Sequence, residues 1–380
     1  ELPVHIQAGQ HDRVVAVALG YGRMGTDRFA NLAPDWFEGN PMIAAGETIG
    51  VNAAPWLAVV DGRIRTDVRS VTIEKVDGHK ELACTQDYHK LEVPEHLAPE
   101  GGEVRDVLQR SVLGAHVAHA EHGAGGHGEA AGLWPDDHKR PGHNWAMVID
   151  LSVCTGCSGC VVSCQAENNV PVVGRDEVER HREMHWLRID RYYGGDDDNL
   201  RVSHQPMMCQ HCDNAPCEAV CPVLATVHSS EGLNQQVYNR CVGTRYCANT
   251  CPYKVRRFNW FEYPRDDEHA NHALNPDVTV RSRGVMEKCS MCAQRIQAAK
   301  SAAHREGRIL ADGEIQTACQ QSCPTKAIVF GDVGDPESEV SKAMAGPRRY
   351  RALEEINVQP SVAYLTEVRN SHSPEAGHEG

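Results

Sequence analysis

The sequence predicts an α+β protein in which short strands and short helices surround loops that carry cysteine. Fifteen of the sixteen cysteines lie between Cys154 and Cys323, where they form four runs. Apolar strand-like segments lead into these runs, and a helix-like segment rich in Ala and Gln follows Cys289. Cysteine loops of this kind are typical of metal centres on small α+β units.

The four runs differ in spacing. The first is C-x2-C-x2-C-x3-C, the second is C-x2-C-x4-C-x3-C, and the fourth consists of two separate pairs. The third run repeats the first, except that Thr244 stands where the second cysteine would be. In chain order the runs are Cys154, Cys157, Cys160 and Cys164; Cys209, Cys212, Cys217 and Cys221; Cys241, Cys247 and Cys251; Cys289, Cys292, Cys319 and Cys323.

This spacing predicts iron–sulfur clusters. Three thiolates on a tight loop bind three corners of one cubane, and a cysteine one helical turn further on faces a second cluster. Proline follows Cys221, Cys251 and Cys323, and its fixed φ suits a turn against a metal centre. Structural zinc sites use tetrahedral sets, commonly from separate pairs, which do not explain the triplets. Disulfide frameworks are typical of much shorter chains.

The same offset rule predicts which cysteines share a cluster, and it gives two nested ferredoxin-like halves. Three sets of four thiolates predict [4Fe–4S] clusters: Cys154, Cys157, Cys160 and Cys323; Cys164, Cys289, Cys292 and Cys319; Cys209, Cys212, Cys217 and Cys251. A neutral threonine hydroxyl is a poor iron ligand, so the remaining set predicts a [3Fe–4S] cluster. That set is Cys221, Cys241 and Cys247.

Charge and hydropathy exclude other classes of partner and membrane topology. The formal net charge is −14 and no basic stripe dominates, so no nucleic-acid partner is expected. No run of 18 apolar residues occurs, so no membrane span is predicted. Lys254, Arg256 and Arg257 are candidates to offset the negative charge of the clusters, or they form a solvated basic face.

Residues 1–90 predict a small β-rich unit, and we expect the chain to be the C-terminal part of a longer polypeptide. Apolar residues alternate in Val14–Leu19, Trp56–Val60 and Val68–Ile73, with Gly- and Asn-rich turns between them. Cys84 stands apart from the four runs, and we expect it to be a buried small side chain.

The composition predicts a linker over residues 91–142 and a tail over residues 341–380. The linker is rich in Gly, His and Pro, and a short helix is predicted over Val104–His116. Its histidines lack matching cysteine or carboxylate spacing for a metal site. Within the tail, Tyr350–Val368 is expected to wrap over a neighbouring surface, and disorder is expected over Ser371–Gly380.

Between them, residues 143–340 predict the four-cluster domain, in which strand, cysteine loop and helix occur twice. A helix is predicted from Cys289 to His304. Strands are predicted at 146–150, 186–193, 202–208, 235–238 and 326–330.

These motifs resemble a known family. Trp145–Cys164 and Cys209–Pro222 resemble the four-cluster iron–sulfur subunits of the molybdopterin-oxidoreductase superfamily, such as those of polysulfide, dimethyl-sulfoxide and nitrate reductases. Arg240–Cys247 and Cys251–Trp260 resemble more specifically the iron–sulfur subunit of bacterial alternative complex III. In that family a molybdopterin-enzyme-like domain without its cofactor precedes the ferredoxin-like domain, and residues 1–90 resemble its β-rich end.

The resemblance implies an electron-transfer subunit of a membrane-bound quinol:electron-acceptor oxidoreductase at the periplasmic face of the bacterial inner membrane. Its implied partners are a polysulfide-reductase-type integral membrane subunit that oxidises quinol, and multihaem cytochrome c subunits. The family places its [3Fe–4S] cluster nearest the membrane, which agrees with Thr244. All-thiolate clusters have no open coordination site, so no catalytic site is expected in this chain. The family's molybdopterin-like domain lacks its cofactor, so the resemblance also implies no molybdopterin here.

Two other functions stay open at this point. One is the electron-transfer arm of a molybdopterin-dependent reductase, which requires an intact cofactor domain. The other is a structural zinc scaffold. The colour of the purified protein tests the zinc scaffold, and molybdenum or tungsten analysis tests the reductase arm.

Overall fold

The structure is a computed structural model in which the described residues divide between two compact units. The smaller unit comprises residues 1–85, 172–183 and 193–202, and the larger comprises 86–171, 184–192 and 203–380. The described residues are 2–25, 44, 46–66, 70–79, 81–86, 107–112, 140–194, 200–263 and 268–369.

The described strands and helices are short, and most connections between them are cysteine-bearing loops. The strands are β1 Ala58–Val60, β2 Arg63–Arg65, β3 Arg110–Val112, β4 Trp145–Asp150, β5 Arg188–Gly194, β6 Arg201–Met207, β7 Thr226–His228, β8 Asn234–Gln236, β9 Arg257–Phe258, β10 Met286–Glu287, β11 Ile328–Asp332, β12 Arg349–Tyr350, β13 Val362–Leu365 and β14 Glu367–Arg369. The helices are α1 Gly159–Glu167, α2 Arg175–Glu179, α3 Pro216–Ala219, α4 Tyr246–Thr250, α5 Glu268–Asn271, α6 Ala293–Glu306, α7 Ala318–Gln321 and α8 Glu339–Ala345.

The smaller unit contains a β-hairpin and helix α2. Strands β1 and β2 pair antiparallel, with Val59 opposite Ile64. The strand predicted at Val14–Leu19 is wrong, because this segment is exposed and pairs with no strand among the described residues. Residues 70–73 of the predicted strand Val68–Ile73 also lack regular structure, and its residues 68 and 69 lie outside the described residues. An alternating apolar pattern forms a strand only where a partner strand supplies hydrogen bonds.

A four-stranded sheet in the order β11-β4-β13-β12 organises the larger unit. Strand β4 is central: it pairs antiparallel with β11 and parallel with β13. The remaining strands form two-stranded pairs, β3 with β14, β5 with β6, β7 with β8 and β9 with β10.

The side chains of β4 explain its central position. Trp145, Met147 and Ile149 point to one face and share an apolar core with most of the buried cysteines. Ala146 and Val148 point to the other face and pack with residues of α8 and β13. A strand buried on both faces needs apolar residues at every position, which is what the sequence of β4 provides. The cysteine loops therefore pack against one face of this sheet.

The predicted elements of residues 143–340 are largely confirmed. Strands β4, β5, β6 and β11 lie within two residues of their predicted positions, and β8 begins at Asn234 instead of Gln235. Helix α6 begins after Cys292 and ends at Glu306, just before Gly307, whose φ of 66° is the left-handed conformation that glycine favours at a helix C-terminus. No described helix is both long enough and apolar enough to cross a bilayer.

Three expectations outside that domain are wrong. Residues 110–112 of the predicted helix Val104–His116 form β3, because they pair in parallel with β14. The described part of the predicted tail does not wrap over a surface, since β12 and β13 complete the central sheet. Cys84 is exposed rather than buried. The remainder of the predicted linker helix, the linker histidines and residues 371–380 lie outside the described residues.

Candidate iron–sulfur centre

The first and third cysteine runs fold into the same turn. Gly156 and Ser158 have φ of 66° and 61°, and Gly243 and Arg245 have φ of 71° and 61° at the same offsets. A Cβ at Gly156 would collide with the His204 ring. A Cβ at Gly243 would lie 2.5 Å from the carbonyl oxygen of residue 284. The glycines thus allow both the turn and the close approach, and Thr244 occupies the place that Cys157 has in the first loop.

The Cys154 group consists of the first three cysteines and Cys323. Burial raises the pKa of Cys160 to about 12, with contributions from the thiols of Cys319, Cys154, Cys157 and Cys323. Burial also raises the pKa of Cys154, with contributions from Cys323 and Cys157. Cys323 therefore lies beside the first run, although more than 150 residues separate them in the sequence. Cys157 is exposed.

The Cys164 group consists of Cys164, Cys289, Cys292 and Cys319. Burial raises the pKa of Cys164 well above its ordinary value, and the other three thiols add to the shift. The amide nitrogen Nδ2 of Asn168 lies 3.6 Å from Cys164 Sγ and 3.9 Å from Cys292 Sγ. This amide therefore donates towards two sulfurs of one group.

The Cys209 group consists of Cys209, Cys212, Cys217 and Cys251, all of them buried. Burial raises the pKa of Cys212 well above its ordinary value, with contributions from Cys209, Cys251 and Cys217. The second run therefore lies beside the last cysteine of the third run. Helix α3 carries Cys217 and packs against α4, which carries Cys247 of the third run.

The sequence assigns Cys221, Cys241 and Cys247 to the remaining set, which we call the Cys221 group; Cys241 and Cys247 flank Thr244 in the chain. Backbone N–H groups approach two of these sulfurs: that of Ala225 lies 3.2 Å from Cys221, and that of Met286 lies 3.4 Å from Cys241. Burial raises the pKa of Cys221, but hydrogen bonds from three backbone N–H groups outweigh it and the pKa is lowered.

The donor sets fit iron–sulfur clusters. In three groups the thiols raise one another's pKa, so they need bound cations to persist together as thiolates. Iron supplies that charge when a cluster is bound. Backbone N–H groups also point at the sulfurs of Cys289, Cys292 and Cys323, from Met291, Ala318 and Ala327 at 3.2–3.4 Å. Hydrogen bonds to sulfur are a recognised means of tuning cluster potential.

Two buried cations lie among the groups. Arg256, a candidate from the sequence, is buried and lowers the pKa of Cys217, which burial raises. Lys288 is 1% exposed and donates from Nζ to the carbonyl oxygens of Asn234 and Cys289. Lys288 was not indicated by its sequence context, because a single lysine beside a cysteine has no distinctive pattern. Of the other two basic candidates, Arg257 donates to the His185 carbonyl oxygen and Lys254 to that of Asn249.

Buried His211 is a further residue that the sequence did not indicate. Its Nδ1 accepts the N–H of Asn234 at 3.1 Å. Burial lowers the pKa of His211 well below its ordinary value, and the Lys288 charge lowers it further. His211 is therefore neutral, and it adds no positive charge beside the cysteines.

Electrostatic effects on thiol pKa values show which groups lie near one another. The Cys319 thiol, in the Cys164 group, raises the pKa of Cys160 in the Cys154 group. The Cys209 thiol raises the pKa of Cys289, so the Cys209 group lies near the Cys164 group. The charge of Arg256 lowers the pKa of both Cys217 and Cys221, so the Cys209 group and the Cys221 group both lie near this arginine. The groups therefore adjoin one another in the order Cys154, Cys164, Cys209 and Cys221, which we call the line, with the Cys154 group and the Cys221 group at its ends.

Comparison with known proteins also indicates iron–sulfur clusters. Two models of 4Fe-4S dicluster domains match residues 146–222 and 200–265. The iron-sulfur cluster-binding subunit of menaquinone reductase from Nitratidesulfovibrio vulgaris is 42% identical over 227 residues, 58% of this chain and 88% of that subunit. The chain belongs to this family of iron–sulfur oxidoreductase subunits.

Other members of the family are similar over the same share of the chain. A selenate reductase subunit from Mesobacillus selenatarsenatis is 34% identical over 226 residues, 58% of this chain and 72% of the relative. The Hdr-like menaquinol oxidoreductase iron-sulfur subunit 1 from Archaeoglobus fulgidus is 32% identical over 244 residues, 59% of this chain and 84% of the relative. As an iron–sulfur oxidoreductase subunit, the chain binds iron–sulfur clusters and transfers electrons, which confirms the prediction from the cysteine runs.

Proposed function

We propose that the chain carries electrons from a quinol-oxidising membrane subunit to cytochrome c, as the iron–sulfur subunit of an alternative complex III. It uses three [4Fe–4S] clusters, held by the Cys154, Cys164 and Cys209 groups, and one [3Fe–4S] cluster, held by the Cys221 group. The observation that carries this proposal is the Thr244 loop, which has the turn of a cluster-binding loop but no second thiol.

The equivalence of the two loops supports the three-iron cluster. Cys157 and Thr244 each lie between two residues with positive φ, in loops that begin with a cysteine and lead into a helix. A hydroxyl in place of the thiolate leaves one corner of a cubane without a soft ligand. Loss of that iron gives a cluster of different type, and cluster type is one determinant of reduction potential.

The surface around the Thr244 loop supports contact with a membrane subunit. Val242 is 64% exposed and Tyr246 is 54% exposed, on either side of Thr244. Leu224, which is 63% exposed, follows Cys221. Large apolar side chains at this end of the line favour an apolar partner over solvent. The integral membrane quinol-oxidising subunit is the partner that we propose here.

The opposite end of the line suits transfer to a second partner. Cys157 of the Cys154 group is exposed, as are Val153, just before the first run, and Val162, within it. A ligand at the surface shortens the distance over which an electron leaves. We propose that the multihaem cytochrome c subunits dock at this end, on the periplasmic face of the inner membrane.

The rest of the chain is assigned by the same proposal. Residues 1–90 are the β-rich end of a molybdopterin-oxidoreductase-like domain, and residues 91–142 link it to the four-cluster domain of residues 143–340. Residues 1–85 fall in one compact unit together with residues 172–183 and 193–202, and the chain enters the other unit at Gln86, which supports a boundary near residue 85. Residues 341–380 follow as the C-terminal segment.

A second candidate is the electron-transfer subunit of a molybdopterin-dependent reductase. The similarity to the selenate reductase subunit favours it. The cluster chain would be the same, but electrons would move towards a molybdenum or tungsten cofactor in the preceding domain instead of a cytochrome.

Metal analysis of the intact complex tests both candidates. The proposal predicts about 15 non-haem irons per chain, in addition to the haem iron of the cytochrome subunits, with a matching amount of acid-labile sulfide, and neither molybdenum nor tungsten. Molybdenum or tungsten at one atom per complex would favour the reductase. Zinc at full occupancy without sulfide would contradict both functions.

A further inference from the structure

Arg256 is a buried cation between the Cys209 group and the Cys221 group. It is 5% exposed. Burial lowers the pKa of its guanidinium, but nearby thiols reverse the effect, and the strongest contributions come from Cys217 and Cys247. These two cysteines belong to different groups. The positive charge therefore faces both groups at once.

A cross-strand pair holds one end of the guanidinium. Nη2 of Arg256 donates to Thr226 Oγ1 at 2.8 Å and to Gln236 Oε1. Thr226 and Gln236 lie opposite each other in the β7–β8 hairpin, and Thr226 Oγ1 also donates to Gln236 Oε1 at 3.1 Å. The position of Arg256 is therefore fixed by two polar side chains that are themselves joined.

The same hairpin reaches sulfurs of both groups. The N–H of Ala225, just before β7, lies 3.2 Å from Cys221 Sγ. In β8, Nδ2 of Asn234 lies 3.8 Å from Cys217 Sγ. The hairpin that anchors Arg256 is thus in contact with one ligand sulfur on each side, so it places the guanidinium between the two groups.

The other donors of Arg256 have no acceptor among the described protein atoms. Nε and Nη1 are both buried and form no hydrogen bond there. A buried charged donor without a partner costs several kcal/mol, so such groups in native proteins normally have one. Cluster sulfides and ligand thiolates are negatively charged and would supply acceptors for these two donors.

We propose that Arg256 donates N–H···S hydrogen bonds to the clusters of both the Cys209 group and the Cys221 group, and thereby raises both reduction potentials. The proposal rests on the proposed function only in requiring clusters at these two groups. A cluster gains one negative charge when it accepts an electron, so a fixed cation beside it favours the reduced state. Because one charge acts on both clusters, the two potentials rise together and transfer between them stays favourable.

Replacement of Arg256 in the intact complex tests the proposal, with reduction potentials read from EPR-monitored redox titrations. Arg256→Gln keeps an amide donor and removes the charge. We expect both midpoint potentials to fall by at least the equivalent of a tenfold change in the reduction equilibrium, about 59 mV for a one-electron couple. The clusters of the Cys154 and Cys164 groups should keep their potentials.

Two further variants separate charge from structure. Arg256→Lys keeps the charge but loses the fork of donors, so the fall should be smaller than with glutamine. Arg308→Gln removes an exposed arginine that pairs with Glu314 and should change no potential. Full cluster content in Arg256→Gln with unchanged potentials would overturn the proposal.

A measurement on the unaltered complex covers the case in which Arg256→Gln fails to assemble. Arginine labelled with ¹⁵N only in its guanidinium group should give a ¹⁵N coupling to the cluster spins in pulsed EPR. Lack of a coupling at both clusters would overturn the proposal independently of any variant. A complex without iron and sulfide would contradict the proposed function itself, whereas clusters that do not sense Arg256 would contradict this inference alone.

Discussion

Thr244 and Cys157 occupy equivalent places in two loops with the same turn, and they differ in the donor that they present. The Thr244 loop therefore has the same backbone conformation as the Cys157 loop, but its side chain at this position carries no thiol. The difference between the two loops is confined to one side chain, so a single substitution tests its consequence.

Thr244→Cys should convert the three-iron cluster of the Cys221 group into a four-iron cluster, because a thiolate then stands at the open corner. The EPR signal of the oxidised three-iron cluster should disappear, and quinol oxidation should slow as the potential falls. Thr244→Ser is the matched control, since it adds no thiol and should keep the signal. A signal that persists in the cysteine variant would show that residue 244 does not face the cluster.

Cys164→Ser tests the nesting of the ligand sets. Cys164 lies next to Cys289, Cys292 and Cys319, and we expect the cluster of that group to be lost or altered. The cluster that contains the neighbouring Cys160 should remain intact. Cys84→Ser, at an exposed position outside the four runs, should leave every cluster signal unchanged. Loss of the Cys154-group cluster alone would contradict the cross-ligation scheme.

At the scale of elements, a buried ion pair joins the β9–β10 pair to the rest of the larger unit. Arg281 Nε lies 2.8 Å from Glu287 Oε1, and both side chains are at most 1% exposed. The carboxylate also accepts from Trp186 Nε1 at 2.9 Å and from Asn259 Nδ2 at 2.7 Å. The Arg281 guanidinium stacks over the Trp186 ring at 4.9 Å. One carboxylate therefore fixes three separate segments.

Arg281→Met should destabilise this region by about 3–5 kcal/mol, because it leaves the buried Glu287 carboxylate without its counter-ion. Peptide-level hydrogen exchange on the intact complex should show the loss of protection around β10. The double variant Arg281→Met/Glu287→Leu should recover part of it. Arg308→Gln, at an exposed pair, is the control and should leave exchange unchanged. Unchanged protection in Arg281→Met would contradict the structural role of the pair.

The elements also show how far the sequence can predict the structure. The strand into the first cysteine loop and helix α6 follow from local pattern, and both are found near their predicted positions. By contrast, β13 lies between β4 and β12 through pairing with distant residues, which local pattern does not encode. The same holds for β3, where parallel pairing with β14 overrides a helical prediction.

For the candidate site as well, the sequence predicts some of the residues and not others. The cysteine runs predict clusters because ligand spacing along the chain is itself the signal. The basic neighbours of Arg256 in the sequence make it a candidate to offset cluster charge. Lys288 and His211 are not predicted, because no sequence pattern indicates that they are buried beside cysteines. Their roles depend on the packing of β8 against the cysteine loops, which only the structure gives.

For the whole molecule, folding and cluster binding should be coupled. The thiols of the Cys154, Cys164 and Cys209 groups raise one another's pKa, so removal of iron leaves neutral thiols in place of cluster ligands there. Anaerobic chelation should therefore reduce hydrogen-exchange protection in β4 and in the cysteine loops. Iron and sulfide should restore it. The β1–β2 hairpin, which carries no ligand, should show the same exchange in both states. Equal protection of β4 in the two states would contradict the coupling.

EPR of the intact complex, first as isolated and then after addition of quinol, tests the central claim most directly. We predict a three-iron signal in the oxidised complex that disappears on reduction by quinol, while signals of reduced four-iron clusters develop. Clusters that quinol does not reduce, or an oxidised complex without a three-iron signal, would contradict electron transfer from quinol through the Cys221 group.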